Sequence, residues 1–266
     1  MATRQSMFMM VVAALTLGWA TTAAAHKFPA TGQTTCSDSD GVEIECAGTG
    51  QDGDLQMGAT LRYQDQGDGT IKDKNTTFQW EKKSDDEGIH DRDNVFTWEQ
   101  ALGYPATLNN ICEKDEAISC STNKDCAGVG GKCGFAGKRD WRLPNIKELQ
   151  SIVNYEILFP GPTVSEEFHV DCDGATVLTG SCTAPTEPAE VCLPPPGSEE
   201  PIPMTYWSST SGDQPGDAWF VDFISGDTGA HGKDQACDVD EDPTVFAVIF
   251  AGHVRAVRGG SFPGAK

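Results

Sequence analysis

Ten cysteines constrain this chain more than any other feature: Cys36, Cys46, Cys112, Cys120, Cys126, Cys133, Cys172, Cys182, Cys192 and Cys237. All of them follow an N-terminal leader. Arg4 gives it a positive start, Met7 to Ala20 form an apolar run, and Ala23, Ala24 and Ala25 supply small residues for cleavage before His26. That is the pattern of a secretory signal peptide, too short for a comfortable membrane span. An even number of cysteines beyond such a leader reads as disulfides in a secreted or periplasmic protein. Zinc is the competing reading, but close C-x-x-C pairs are missing from the sequence. Spacing alone favours Cys36 with Cys46, and a second pair within Cys120, Cys126 and Cys133. For the rest the connectivity stays open, because ten cysteines allow hundreds of complete pairings.

Charge excludes whole classes of partner. The formal net charge of −21 becomes −22 once residues 1–25, with Arg4, are removed. Such a chain stays soluble and repels nucleic acid and anionic membrane surfaces.

The chain divides by composition. Residues 26–57, poor in large apolar side chains, read as a disulfide-tied N-terminal arm, and regular structure begins near residue 58. Within "LRYQDQGDGTIKDKNTTFQWEK" (61–82), Asp68-Gly69 is a hairpin signal between short strands. Counted as a calcium loop from Asp65, the same stretch puts Gly67 and Gly69 where oxygen ligands are needed, so the turn reading prevails. In "FTWEQALGYPATL" (96–108), Thr97 and Gln100 form a capping box, and Pro105 should limit or kink the helix that follows.

"DWRLPNIKELQSIVNY" (140–155) begins as a strand, with Trp141 and Leu143 alternating with Arg142, and breaks at Pro144. Asn145 and Glu148 then make a capping box, and Ile146, Leu149, Ile152 and Val153 share one helical face. Two segments read as surface excursions. Residues 110–137 are Cys- and Gly-rich, and residues 160–203 hold nine of the fifteen prolines and no Lys or Arg. Short strands resume at 205–212, 217–229, 244–252 and 253–261, the last carrying Arg255 and Arg258 before Gly259.

No G-x-S-x-G, H-E-x-x-H or phosphate-loop motif occurs, and the five histidines sit in unrelated contexts. The expectation is therefore a non-catalytic chain without a cofactor. Acidic loops such as 238–243 admit Ca²⁺, though no motif supports it. The candidate ligand-binding residues are Trp207, Ser208, Trp219, Asp222, Arg255 and Arg258. Against that stands a structural role: a strand tryptophan is usually core, and an arginine flanked by apolar residues needs a carboxylate partner, such as Glu148 or Asp222.

The ordered series "DQGDGTIKDKNTTFQW", "TWEQALGY", "DWRLPNIKELQSIV", "YWSST", "AWFVDFISGD" and "VRAVRGG" resembles the Lcl C-terminal domain family, named for a Legionella collagen-like adhesin. The resemblance frames residues 58–262, with 110–137 and 160–203 as enlargements. It implies an α+β, C-type-lectin-like fold, with two helices packed on short, mostly antiparallel strands. In it Trp141, Arg142, Leu143, Pro144, Asn145, Glu148, Leu149 and Gly259 serve as the fold's signature. R-L-P before a helix and a terminal R-G-G are also distantly similar to the formylglycine-generating enzymes. The function so implied is an exported recognition or adhesion module that binds a glycan or a partner protein through surface loops. The rivals are an enzyme of the formylglycine-generating type and a structural subunit of an exported assembly.

Overall fold

The computed structural model describes residues 28–92, 94–157, 161–169, 205–233 and 252–260. The signal-peptide reading, Cys172, Cys182, Cys192, Cys237, most of the 160–203 excursion and nearly all of the expected strand 244–252 lie outside the described residues.

The arm contains β1 (Cys36–Ser37), β2 (Glu43–Ile44) and the short helix α1 (Asp52–Leu55). There follow β3 (Tyr63–Asp65), β4 (Thr70–Asp73), β5 (Gln79–Glu81) and helix α2 (Trp98–Leu108). Next come β6 (Ile111–Cys112), β7 (Asp115–Ser119) and helix α3 (Ile146–Gln150). The remaining strands are β8 (Thr205–Ser211), β9 (Asp217–Asp222), β10 (Thr228–Gly232) and β11 (Val257–Arg258). They form four small sheets, ordered β1-β2, β11-β5-β4-β3, β6-β7 and β10-β9-β8, and every pairing of named strands is antiparallel. The protein is thus a mixed helix and sheet structure with few helices.

Local chemistry accounts for the elements. Asp68 closes the β3–β4 hairpin by accepting Thr70 N at 3.1 Å. Gly69 there has φ +81°, and a Cβ would meet the Phe135 ring at 3.1 Å, so both backbone and packing favour glycine. The capping box at Thr97 is present, with Gln100 N donating to Oγ1 at 3.3 Å and Thr97 N to Gln100 Oε1 at 2.9 Å. Ala101, Tyr104, Pro105 and Leu108 are buried, the i, i+3, i+4, i+7 stripe of an amphipathic helix. Pro105 does not end this helix, contrary to the expectation, because its ring lies on that buried stripe. Apolar packing offsets a penalty of about 3 kcal/mol, and its carbonyl still accepts Asn109 N at 3.0 Å.

The 140–155 stretch behaves as expected at its start and stops sooner. Asn145 and Glu148 cap each other, but the helix proper spans five residues, and Ile152 and Val153 reach the core from the turn that follows it. Glu148 also accepts a two-pronged bond from Arg142, at 2.6 and 2.7 Å. Arg142 pairs through its backbone with Val257, Pro144 O accepts Ser209 N at 2.8 Å, and Ile146 N donates to Thr210 Oγ1 at 3.0 Å. The motif thus ties α3 to β8 and to the C-terminal segment.

Two apolar clusters fill the body. One includes Ile71, Trp80, Leu149, Phe168, Tyr206 and Val257; the other, around α2, includes Leu108, Phe135, Trp141, Trp207, Val254 and Ala256. The segment 253–257 runs between them, sending alternate residues to each, as strand periodicity requires. Two expectations about excursions need correction here. Phe135 at the end of the first is buried core, and Val164 and Phe168, at the start of the second, are buried in the first cluster. Large apolar side chains at these positions outweigh the polar composition around them.

Three disulfides are formed: Cys36–Cys46, Cys112–Cys126 and Cys120–Cys133. The first is the pair that spacing favoured, and the third lies within the expected trio. The second crosses the third. No free cysteine occurs among the described residues.

Candidate functional site

The body holds a group of buried charges around Glu81, whose position at the end of β5 turns its side chain inward. Glu81 Oε1 accepts from Lys83 Nζ at 3.0 Å, from His90 Nδ1 at 2.8 Å and from the Tyr104 hydroxyl. Its Oε2 accepts Ala256 N at 2.8 Å, and its carbonyl accepts Arg255 Nη1 at 2.9 Å. His90 uses its second nitrogen on Glu116 of β7 at 3.0 Å, and its ring lies 4.0 Å from that of Phe135. The Arg255 guanidinium sits over Phe168 and Tyr206, at 5.2 and 5.5 Å.

These contacts fix protonation. Burial alone would raise the Glu81 carboxyl, but Lys83, His90 and the Ala256 N–H outweigh it and bring its pKa down to about 2. Burial opposes charge on His90, yet its bonds to Glu116 and Glu81 prevail and raise its pKa to about 9. Burial lowers Lys83 even beside Glu81, and burial with the Glu81 charge holds the Tyr104 phenol well above its usual value. His253 is different: burial lowers it to about 4, so it is neutral, with Nδ1 against the Asn94 carbonyl at 3.1 Å.

Tyr104 links this interior to a surface groove of about 460 Å³. The groove lies between the loop 89–96 and α2, with Ile89, Val95, Phe96 and Tyr104 as apolar walls and Asn94, Gln100 and Thr107 as polar points. No lining residue is charged. Phe96 and Tyr104 pack ring to ring at 5.1 Å. Gln100 spends Oε1 on the cap, which leaves its Nε2 amide as a donor. Gly103 lines the groove too, and a Cβ there would meet nothing within 4 Å. This glycine inside an amphipathic helix was the available sequence signal, since an uncompensated helix glycine costs about 1 kcal/mol. Sequence reasoning did not single out the groove.

None of the six candidate binding residues lines it. Trp207, Ser208 and Arg255 are buried: Trp207 Nε1 donates to Phe96 O at 2.9 Å and Ser208 Oγ to Trp219 O at 2.7 Å, while Arg255 Nε finds no hydrogen-bond partner among the described residues. Trp219 and Asp222 are half-buried on β9. Asp222 accepts Ile224 N at 2.7 Å, and burial raises its carboxyl. Arg258 pairs with Asp140, at 2.7 and 3.2 Å, and with Gln79 at 2.6 Å. The carboxylate partners of the arginines are therefore Glu148 for Arg142 and Asp140 for Arg258, while Arg255 rests on a carbonyl and two rings. The sulfurs of Cys112, Cys120 and Cys126 lie close together as a metal site would require, but all three are bonded in disulfides and offer no thiolate. Asp65, the start of the calcium count, is committed to Gly67 N at 2.8 Å and to Lys82.

Small antiparallel sheets, few helices and a crossed pair of disulfides define a stapled α+β domain of the kind found in oxidising compartments. No helix among the described residues is long and apolar enough to cross a membrane. The profile of the Lcl C-terminal domain matches residues 69–240, more than half of the sequence, and the chain belongs to that family. No curated protein and no solved structure matches it.

Proposed function

We propose that the chain is an exported, non-catalytic recognition or adhesion module of C-type-lectin-like fold, and that its ligand is a glycan held in the groove beside α2. The observation that carries this reading is the groove's chemistry. Aromatic and aliphatic walls with neutral amide and hydroxyl points suit a sugar, which presents an apolar ring face and a rim of hydroxyls. The pairing of β5 with β11, which joins distant parts of the chain, and the packing of two helices on short strands support the fold assignment. Support for a non-catalytic role comes from the Glu81 cluster, where both carboxylate oxygens and both His90 nitrogens are already engaged.

The test is a glycan array probed with oxidised, leader-free protein, with and without EDTA. Binding to uncharged glycans is expected, with little dependence on salt. Gly103→Leu, whose Cβ would meet nothing within 4 Å, adds bulk to the groove wall and should abolish binding while thermal stability is kept. Full binding by that variant would remove the groove from the reading, and a blank array would remove the glycan. Loss in EDTA alone would assign Ca²⁺ a part in it.

A further inference from the structure

The N-terminal arm carries exposed apolar side chains that lie apart from the groove. Six large hydrophobic residues are exposed among the described residues, and five of them lie within 28–57: Phe28 (87%), Met57 (70%), Val42 (60%), Leu55 (57%) and Ile44 (37%). Single exposed apolar residues are ordinary, but five of the six among the described residues falling within the arm is a concentration that a partner could cover. Phe28 and Met57 flank one structural junction. Ala59 N donates to Phe28 O at 2.9 Å, and a Cβ on Gly58 would meet Ala30 N at 2.8 Å. Leu55 ends α1, which packs on β1 so closely that a Cβ on Gly53 would strike Thr35 O at 2.2 Å. Val42 and Ile44 belong to the ribbon closed by Cys36–Cys46.

The arm is also held in place. Thr34 and Thr35 donate to the Glu156 carboxylate at 2.6 to 3.4 Å, and Tyr155 N donates to Thr31 O at 2.8 Å. These apolar groups are therefore presented to water in a fixed arrangement, which lowers the ordering cost of binding.

Charge identifies the occupant. Residues 28–57 contain six carboxylates (Asp38, Asp40, Glu43, Glu45, Asp52 and Asp54) and no Lys, Arg or His, so the arm stays acidic even with His26 and Lys27 at its start. A second copy would bring the same acidic arm and a net charge of −21. Like charges disfavour that pairing, whereas a partner with cations around an apolar contact is complementary. We propose that the arm is a docking surface for a protein segment that alternates or intermixes large apolar and basic side chains.

The test titrates three synthetic peptides of equal length into the intact oxidised protein: Leu–Lys, Ser–Lys and Leu–Glu alternating sequences. Fluorescence anisotropy gives affinity, and amide NMR shifts on the unaltered protein give location. The Leu–Lys peptide should bind at least about tenfold more tightly than Ser–Lys, the equivalent of a few buried methylenes. Leu–Glu should not bind, and shifts should concentrate in 28–57. The triple variant Phe28→Ser, Leu55→Ser, Met57→Ser leaves the net charge unchanged and should lose that tenfold excess while keeping its melting temperature. Neutralising Asp40, Glu43 and Glu45 as Asn, Gln and Gln should weaken Leu–Lys binding. Equal affinity for the two lysine peptides, an excess that survives the triple variant, or shifts centred elsewhere would overturn the proposal. So would sedimentation showing a dimer that the triple variant dissolves, since a second copy would then cover the surface.

Discussion

The body and the 110–137 excursion are both tightly closed, by different means. The body buries large side chains such as Trp80, Phe168, Tyr206 and Trp207 around one ionic group at Glu81. The excursion has four half-cystines at its centre, with only Ile118 and Val129 packed partly against them. A short polar segment cannot bury enough apolar surface to hold itself, so covalent bonds replace packing there. The two regions meet where Ile111 and Phe135 of the excursion enter the body's core and where Glu116 reaches His90. At the neck of the excursion, Asn109 pairs through its side chain with both backbone groups of Trp141 at 2.9 Å.

That contrast can be broken by experiment. Trp207→Ala should cost the body about 3–5 kcal/mol by leaving a cavity in the core, seen as a large loss in chemical denaturation. Glu81→Gln should cost about 3 kcal/mol, because Lys83 and charged His90 lose their counter-charge. Replacing Cys120 and Cys133 together by serine should cost about 2–4 kcal/mol. Its effect should be confined: amide exchange should rise across 110–137 while Trp80 and Val257 stay protected. If the body's amides open equally, the two regions share one stability and the contrast fails.

Acidity sharpens the same boundary. His90, raised from 6.5 to about 9, contributes stability that is complete below pH 6.5 and is lost as pH rises through 9. His253, lowered from 6.5 to about 4, contributes stability present above pH 6.5 and lost as pH falls through 4. The melting temperature should therefore peak near neutrality and fall on both sides, and His90→Gln should flatten the alkaline limb alone. Asn145→Ala is the smallest change, about 1 kcal/mol from one lost cap, measured by the same melts.

Much of this arrangement was legible in the sequence where the causes are local. Both capping boxes, the Asp68-Gly69 turn and Cys36–Cys46 depend on residues a few positions apart, and the structure has all of them. The Lcl motifs were equally readable, because they recur in a fixed order. What failed to show was long-range. Glu81 meets His90, Tyr104, Arg255 and Ala256 only once the chain has folded, and no periodicity announces a carboxylate that must be buried with cations. Trp207 stood out as a binding candidate on residue type alone, whereas burial and the Phe96 carbonyl claim it. The groove escaped notice for the same reason, since its walls come from residues 89–96 and from α2, which face each other only in the folded chain.

The crossed bridges have a consequence for how the protein matures. In an extended chain, loop closure favours the non-native pairs Cys120 with Cys126, Cys126 with Cys133 and Cys112 with Cys120, because those partners are nearer in sequence than the native ones, 14 and 13 residues apart. Random oxidation would therefore give the wrong pairs first. The native cross-pairing has to be selected either by the β6–β7 hairpin forming before oxidation or by later exchange between thiolate and disulfide. Production in a compartment that oxidises without isomerising should accordingly yield protein of correct mass and mispaired bridges.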